Sequence, residues 1–135
     1  MAKESGLGWT TCSVDDATPT LQALVNDVTN VEFATPRAVQ EITGMDKFAT
    51  ERLLLLGDFS ATLNGVFNPT AGASHQTLKT VCSATVTRTL TLVVSSQTLT
   101  NECLLTDYNL TRSDSGEFTW QAPFVLQSGT APTWS

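Results

Sequence analysis

Chemically reactive residues are scarce in this sequence. His75 is the only histidine, and no Gly-x-Ser-x-Gly, Gly-x-Gly-x-x-Gly or P-loop pattern accompanies it. A side-chain nucleophile needs a nearby base, so nucleophilic hydrolysis and phosphate cradling have no carrier here. Cys12, Cys82 and Cys103 are odd in number and widely spaced, with no Cys-x-x-Cys pair. A zinc site needs four ligands at clustered spacing. The cysteines therefore read as three buried thiols in a reducing compartment, with no metal and no cofactor. Asp15-Asp16 and the pair Asp114 and Glu117 fall in turn signals, where short carboxylates bond the backbone. These absences point to a protein that is not an enzyme.

Basic charge is also sparse. Seven Lys and Arg stand against 13 Asp and Glu, the net charge is -6, and the basic residues form no stripe. Tight nucleic-acid binding rests on such a stripe and is not expected, whereas an acidic surface lets DNA pass without sticking. Long apolar runs are missing. The longest, Leu53 to Leu56, has four residues, far short of the roughly 20 that a membrane helix needs. Met1 to Gly6 holds no apolar segment of signal-peptide type, so the chain is expected to be made and used without secretion. With 41% apolar and 15% charged residues over 135 positions, the composition suits one folded domain with a real core.

What the sequence does have is alternation. In Gly57 to Asn68, Phe59, Ala61, Leu63 and Phe67 fall at every second position, with Ser60, Thr62 and Asn64 between them. That is a strand with one apolar and one polar face. Trp9 to Val14 alternates ahead of Pro19, and Leu21 to Asp27 reads as extended or turn structure. Val28 to Ala34 alternates weakly, with Val31 and Phe33 set against Asn30 and Glu32. Thr35-Pro36 breaks the run, and Arg37 to Thr43 resumes it without a cleanly apolar face. Gly44 to Arg52 carries four charges together with Met45 and Phe48. It reads either as a solvated loop or as an interaction loop. Leu53 to Leu56 reads as a buried-type run.

Thr70 to Val81 has helical spacing, with Ser74 as N-cap and Leu78 and Val81 sharing a face with His75. From Ser83 onward the pattern is strongly β. Ala84, Val86, Leu90, Leu92 and Val94 alternate with threonines, and Arg88 interrupts the apolar face. It reads as a paired buried charge or as the point where the strand leaves the core. Ser113 to Gly116 is a turn into a strand over Glu117 to Gln127, where Pro123 argues for an edge or a bulge. Trp134 closes a polar tail and is expected to fold back on its own barrel or dock on a neighbour. Seven or eight short strands and one helix predict a mainly β, antiparallel sandwich or barrel with a short flanking α-helix over about 70–81.

In this order and size the elements resemble the major tail tube protein of long, non-contractile-tailed (siphovirus-type) bacteriophages. The resemblance rests on Val39-Gln40-Glu41-Ile42-Thr43-Gly44 and the charged loop after it. It continues through Leu53 to Leu56, the strand Asp58 to Phe67 and the helix around His75-Gln76-Thr77-Leu78. A strand-rich second half then ends in Gly129-Thr130-Ala131-Pro132-Thr133-Trp134.

The resemblance implies a single tail tube domain over 1–135, with an extended N-terminal arm and a C-terminal tail. It implies self-assembly into rings, usually of six, that stack into a hollow tube. Inner strands of neighbouring subunits would join into one barrel, and viral DNA would leave through it without specific binding. The further partners it implies are a tape measure protein, a tail terminator and distal tail proteins, with no membrane. The place is the virion tail, assembled in the host bacterial cytoplasm. The residues expected at the assembly interface are Val31, Phe33, Val39, Glu41, Met45, Phe48 and Trp134, and those expected to face the lumen are Glu32, Glu41 and Glu51. The alternative readings are another virion part of similar fold, such as a tail terminator or head–tail joining protein, or a carbohydrate-binding β-sandwich.

Overall fold

A computed structural model describes residues 3–7 and 9–135. Part of the expected N-terminal arm, Met1, Ala2 and Gly8, lies outside the described residues. The strands are β1 Thr11–Asp15, β2 Leu21–Ala23, β3 Val28–Ala34, β4 Arg37–Glu41, β5 Arg52–Gly57, β6 Ser60–Val66, β7 Arg88–Val94, β8 Gln97–Leu105, β9 Asn109–Arg112 and β10 Phe118–Leu126, with helix α1 at Ser74–Leu78. Every strand pair is antiparallel. One sheet runs β2-β1-β7-β8-β10-β6-β3, with β9 also beside β10. β4 and β5 form a second, two-stranded sheet.

The main sheet curls around one apolar core. Val14, Phe59, Leu63, Leu90, Leu92, Leu99, Trp120 and Phe124 are all buried there. The strand read from Phe59 to Leu63 is β6, at the heart of the sheet between β3 and β10. Its Ala61, Leu63 and Gly65 point inward. A Cβ at Gly65 would collide with the Trp120 indole and the Asp27 carbonyl, so this position admits only glycine. The Trp120 indole N–H donates to the Val66 carbonyl at 2.9 Å, which satisfies its polar end inside the core.

Pro123 sits mid-strand at no cost to the ladder. β10 pairs β9 along 118–121 and β8 along 124–126. The Pro123 carbonyl accepts from the Thr106 N–H at 3.2 Å. Its own nitrogen points the same way, into the gap between β8 and β9, where no donor is required. Trp134 folds back: it bridges to Leu99, stacks on Phe33 at 5.9 Å, and Ser135 and Thr98 exchange two 2.9 Å backbone bonds. Trp9 meets the other side of Phe33 edge-on at 6.2 Å. Both termini therefore close over β3 through one aromatic cluster.

Four sequence expectations need correction. The helix is Ser74–Leu78, not 70–81. Gly72, at φ +78°, takes the left-handed region and keeps the helix from starting earlier. At the other end the Arg88 guanidinium donates to the Thr77 carbonyl at 2.7 Å, the acceptor that a continuing helix would offer to Val81. Val81 bonds Leu78 instead. Ser74 is the first helical residue and not the N-cap. Asp27 caps from outside, its carboxylate accepting from the Ser74 N–H at 3.0 Å and the Asn68 amide at 2.9 Å. Residues 83–87 are irregular, and β7 begins only at Arg88. Arg88 itself is buried and also donates to the Asp15 carbonyl and Thr80 Oγ1. Burial lowers its pKa, and the charges of Asp16 and Asp15 act against that.

The fourth correction concerns the cysteines. Cys12 and Cys103 are buried, but Cys82 is exposed, because it follows the helix in a turn outside the sheet. Burial pushes both inner thiols up to about 12, so neither forms the reactive thiolate at neutral pH. The native protein is expected to titrate one thiol with a colorimetric disulfide reagent and three after denaturation. The pH dependence has a fixed sign. The folded chain keeps protons that an unfolded thiol releases above its ordinary value of 9.0. The stabilisation from these groups is therefore full below pH 9 and is lost between 9 and 12, which thermal melts across that range would register.

Candidate assembly surfaces

β3, β4, β5 and β6 form one long ribbon. Ala34 pairs with Ser60, and Arg37 with Gly57. Between them the ladder is interrupted at Thr35-Pro36, held only by the 2.8 Å bond from the Asp58 N–H to the Pro36 carbonyl. Below this joint the ribbon lies in the main sheet. Above it, β4 and β5 pair only with each other and project from the body. The five residues of β4 extend about 17 Å at roughly 3.3 Å per residue. The tip is Gly44 to Arg52, where Glu51 N–H donates to Thr43 Oγ1 at 2.9 Å and Lys47 lies 3.4 Å from Asp46 and 3.8 Å from Glu51.

The ribbon carries exposed apolar side chains on both faces. Val39 lies opposite Leu54, with Glu41 opposite Arg52 on the same side. Gln40 lies opposite Leu53 on the other. Val39, Ile42, Met45, Phe48, Leu53, Leu54, Leu55 and Leu56 are all exposed, Leu56 at 86% and Met45 and Phe48 completely. The run Leu53–Leu56, expected to be buried, is thus uncovered in this chain. Full burial of a large apolar side chain is worth about 1.5–3 kcal/mol. Eight of them represent at most roughly 12–24 kcal/mol of gross driving force for contact with something else.

A second surface is the outer face of β3, β6, β10 and β9. Asn30 lies opposite Asn64, Asn64 opposite Gln121, and Gln121 opposite Asn109, so four amides form one row across four strands. The flanking rows are Val66, Thr119 and Thr111 on one side and Glu32, Thr62 and Pro123 on the other. Glu32 carries the only charge in these three rows. A shallow groove of about 430 Å³ runs along this face. Among the described residues, β3 and β9 leave one backbone edge each unpaired. A free edge is a template for another strand.

The residues expected at the interface divide among three places. Val31 and Phe33 point inward and pack on the chain's own core, and Trp134 covers Phe33. Val39, Glu41, Met45, Phe48 and Glu51 stand on the projecting ribbon. Glu32 stands on the amide face, away from Glu41 and Glu51. Sequence reasoning missed Ile42 and the four leucines as surface residues, although an apolar run with no polar alternate is the mark of a strand covered on both sides. It also missed the amide row, whose members lie on strands far apart in sequence.

No protein-family model matches the chain, and no curated protein sequence matches it. Solved structures do. A chain described as "Tail of empty GTA particle computed with helical refinement, C6 symmetry" aligns with a TM-score of 0.76 at 12% identity, covering 98% of this chain and 99% of that one. A chain from "Virion of native gene transfer agent (GTA) particle" aligns with a TM-score of 0.74 at 11% identity, covering 99% of both chains. A chain from the "anti-feeding prophage (AFP) baseplate, 6-fold symmetrised" gives 0.65 at 10% identity, covering 100% and 97%.

If the ribbon is a contact surface and not part of the core, Leu54→Lys combined with Leu56→Lys should leave unfolding stability within about 0.5 kcal/mol of the parent. The same pair should sharply weaken self-association in sedimentation velocity. Since Leu54 and Leu56 make no core contact, a large drop in stability would contradict this placement. The end-to-end match with chains of tail and baseplate particles means that this protein has the mainly β, antiparallel fold of such subunits.

Proposed function

We propose that this protein is a structural subunit of a phage-like tail, and that copies of it assemble into stacked, six-membered rings forming the tail tube. The observation that carries the reading is the projecting ribbon. A chain with a well-filled core leaves eight large apolar side chains uncovered on one two-stranded extension. Association costs roughly 4–15 kcal/mol of lost freedom, a cost that burying the ribbon offsets. The fold supports the reading, because its whole length matches chains from assembled particles, one of them refined with helical and sixfold symmetry. In this role the protein is not an enzyme, and its partners are other copies of itself and the remaining tail proteins.

In such a ring the four strands β3, β6, β10 and β9 of each copy would continue into the next copy through the free edges of β3 and β9. The amide face would then line the channel. Each Lys or Arg facing DNA releases counterions and binds it, so a conduit works best with a neutral or acidic wall. The amide row and Glu32 provide one, whereas Glu41 and Glu51 belong to the ribbon between copies. Tubes of a Glu32→Lys, Asn64→Lys variant should retain duplex DNA at low salt and release it as salt rises, where parent tubes retain none. Equal DNA retention by parent and variant would place this face outside the channel.

A second reading, a ring that does not polymerise, is favoured by the likeness to a baseplate chain. The two separate in one experiment. Proline has no N–H and breaks a two-stranded ladder. Val39→Pro or Glu41→Pro should abolish pelletable polymer while the body keeps its melting transition. Undiminished polymer from both variants would show that the ribbon is not an assembly element. Discrete rings from the parent protein at every concentration would favour the second reading.

A further inference from the structure

β3 and β9 bound the stretch of sheet that carries the amide row, and their free edges fit each other in one register. β3 and β10 run one way, and β6 and β9 run the other. When the sheet continues from copy to copy, β9 of one therefore lies antiparallel to β3 of the next, with no copy turned over. Among the described residues, 29–34 of β3 make no backbone hydrogen bond beyond β6, and 109–112 of β9 make none beyond β10.

The side chains decide the register. Asn30 and Glu32 stand on the amide face, with Val31 and Phe33 on the core side. In β9, Asn109 and Thr111 stand on the amide face. Leu110 lies in the row of Trp120 and Gly65, on the core side. A slip of one residue would set Leu110 against a polar residue and turn each face over, so only even steps are open. With Asn109 opposite Asn30, Glu32 would meet Asp107, and like charges directly opposite destabilise a sheet. That step also sets Thr111 against Val28, whose N–H already donates to the Leu24 carbonyl at 3.1 Å. It gives no stagger between copies, which a closed sheet requires. With Asn109 opposite Ala34, Leu110 would meet Phe33, which Trp9 and Trp134 already cover, and Arg112 would meet Val31. Wider steps run half or more of β9 off the ends of β3.

We infer that β9 of one copy pairs with β3 of the next with Asn109 opposite Glu32, Leu110 opposite Val31 and Thr111 opposite Asn30. The inference rests on the reading of a sheet continued through these two edges, and it fixes the register of that junction. Here the Asn109 amide donates to the Glu32 carboxylate, a charge-assisted bond of the stronger kind. Both side chains are exposed in the single chain. Leu110, 37% exposed, gains Val31 as an apolar neighbour. The amide row passes into the next copy displaced by two residues.

The test is disulfide trapping in a Cys82→Ser background, where the remaining Cys12 and Cys103 are buried. Glu32→Cys with Asn109→Cys should oxidise to a ladder of covalent multimers that a reductant collapses. The link can form only between copies. In one chain β3 and β9 lie three strand spacings apart, about 14 Å, and a disulfide spans no more than about 7 Å between Cα atoms. The register controls are Asn30→Cys and Ala34→Cys, each combined with Asn109→Cys. Their thiols would sit on the diagonal and should give roughly a tenth of the ladder or less. An independent arm uses charge. Asn109→Asp sets a second carboxylate against Glu32 and should raise the concentration needed for assembly about fivefold or more, and Glu32→Gln in the same chain should restore it. A stronger ladder from either control pair would overturn the register. Assembly with no ladder from any pair would overturn the pairing of β9 with β3 and leave the tail-subunit reading standing. A parent protein that stays monomeric at every concentration would overturn both.

Discussion

A two-stranded ribbon has two faces and can lay only one of them on a single core. In this protein the ribbon made by β3, β4, β5 and β6 meets that constraint in two ways along its length. Below Pro36 its inner face carries Val31, Phe33, Ala61 and Leu63 onto the core, and its outer face carries amides, hydroxyls and Glu32. Above Pro36 both faces carry exposed apolar side chains and neither is covered. The lower half belongs to a domain complete in itself. In the upper half, β5 has the composition of an interior strand and the surroundings of a surface one.

The body is built to hold the ribbon's base in place. Gly65 lets Trp120 and the Asp27 carbonyl close on β6, Asp27 caps α1 from the loop before β3, and Arg88 ties the far end of α1 to β1. A buried arginine bonded to two carbonyls and a hydroxyl fixes geometry more than it adds stability, because its desolvation consumes much of what the bonds return. Both termini then pass over Phe33. The same aromatic cluster therefore closes the sheet and sets one end of an apolar cleft beside β3. The amide face across β3, β6, β10 and β9 arises from the opposite side of these same strands, since alternation gives each strand one face for the core and one for whatever lies outside.

Much of this was legible in the sequence. The strand from Phe59 to Leu63, the turn at Ser113–Gly116, the break at Pro36 and the alternation of β7 all follow from periodicity and turn chemistry, which are local. The helix boundaries were not legible, because the Asp27 cap lies 47 residues upstream of Ser74 and the Arg88 bond to Thr77 spans 11. Leu53–Leu56 was read as a buried-type run, and in this chain it is exposed. It was misplaced because a pattern reports that a face needs covering without saying which chain covers it. Met45 and Phe48 stood out as apolar residues in a charged loop. The amide row did not, since its members are brought together only by the register of four strands.

The central claim is that the uncovered ribbon is satisfied by other copies of the same chain. Negative-stain electron microscopy of the purified protein over a rising concentration series examines this most directly. The account predicts hollow tubes of uniform width with a regular axial repeat, appearing above a threshold concentration. Dispersed particles of monomer size at every concentration, from protein that is folded by its melting transition, would contradict it.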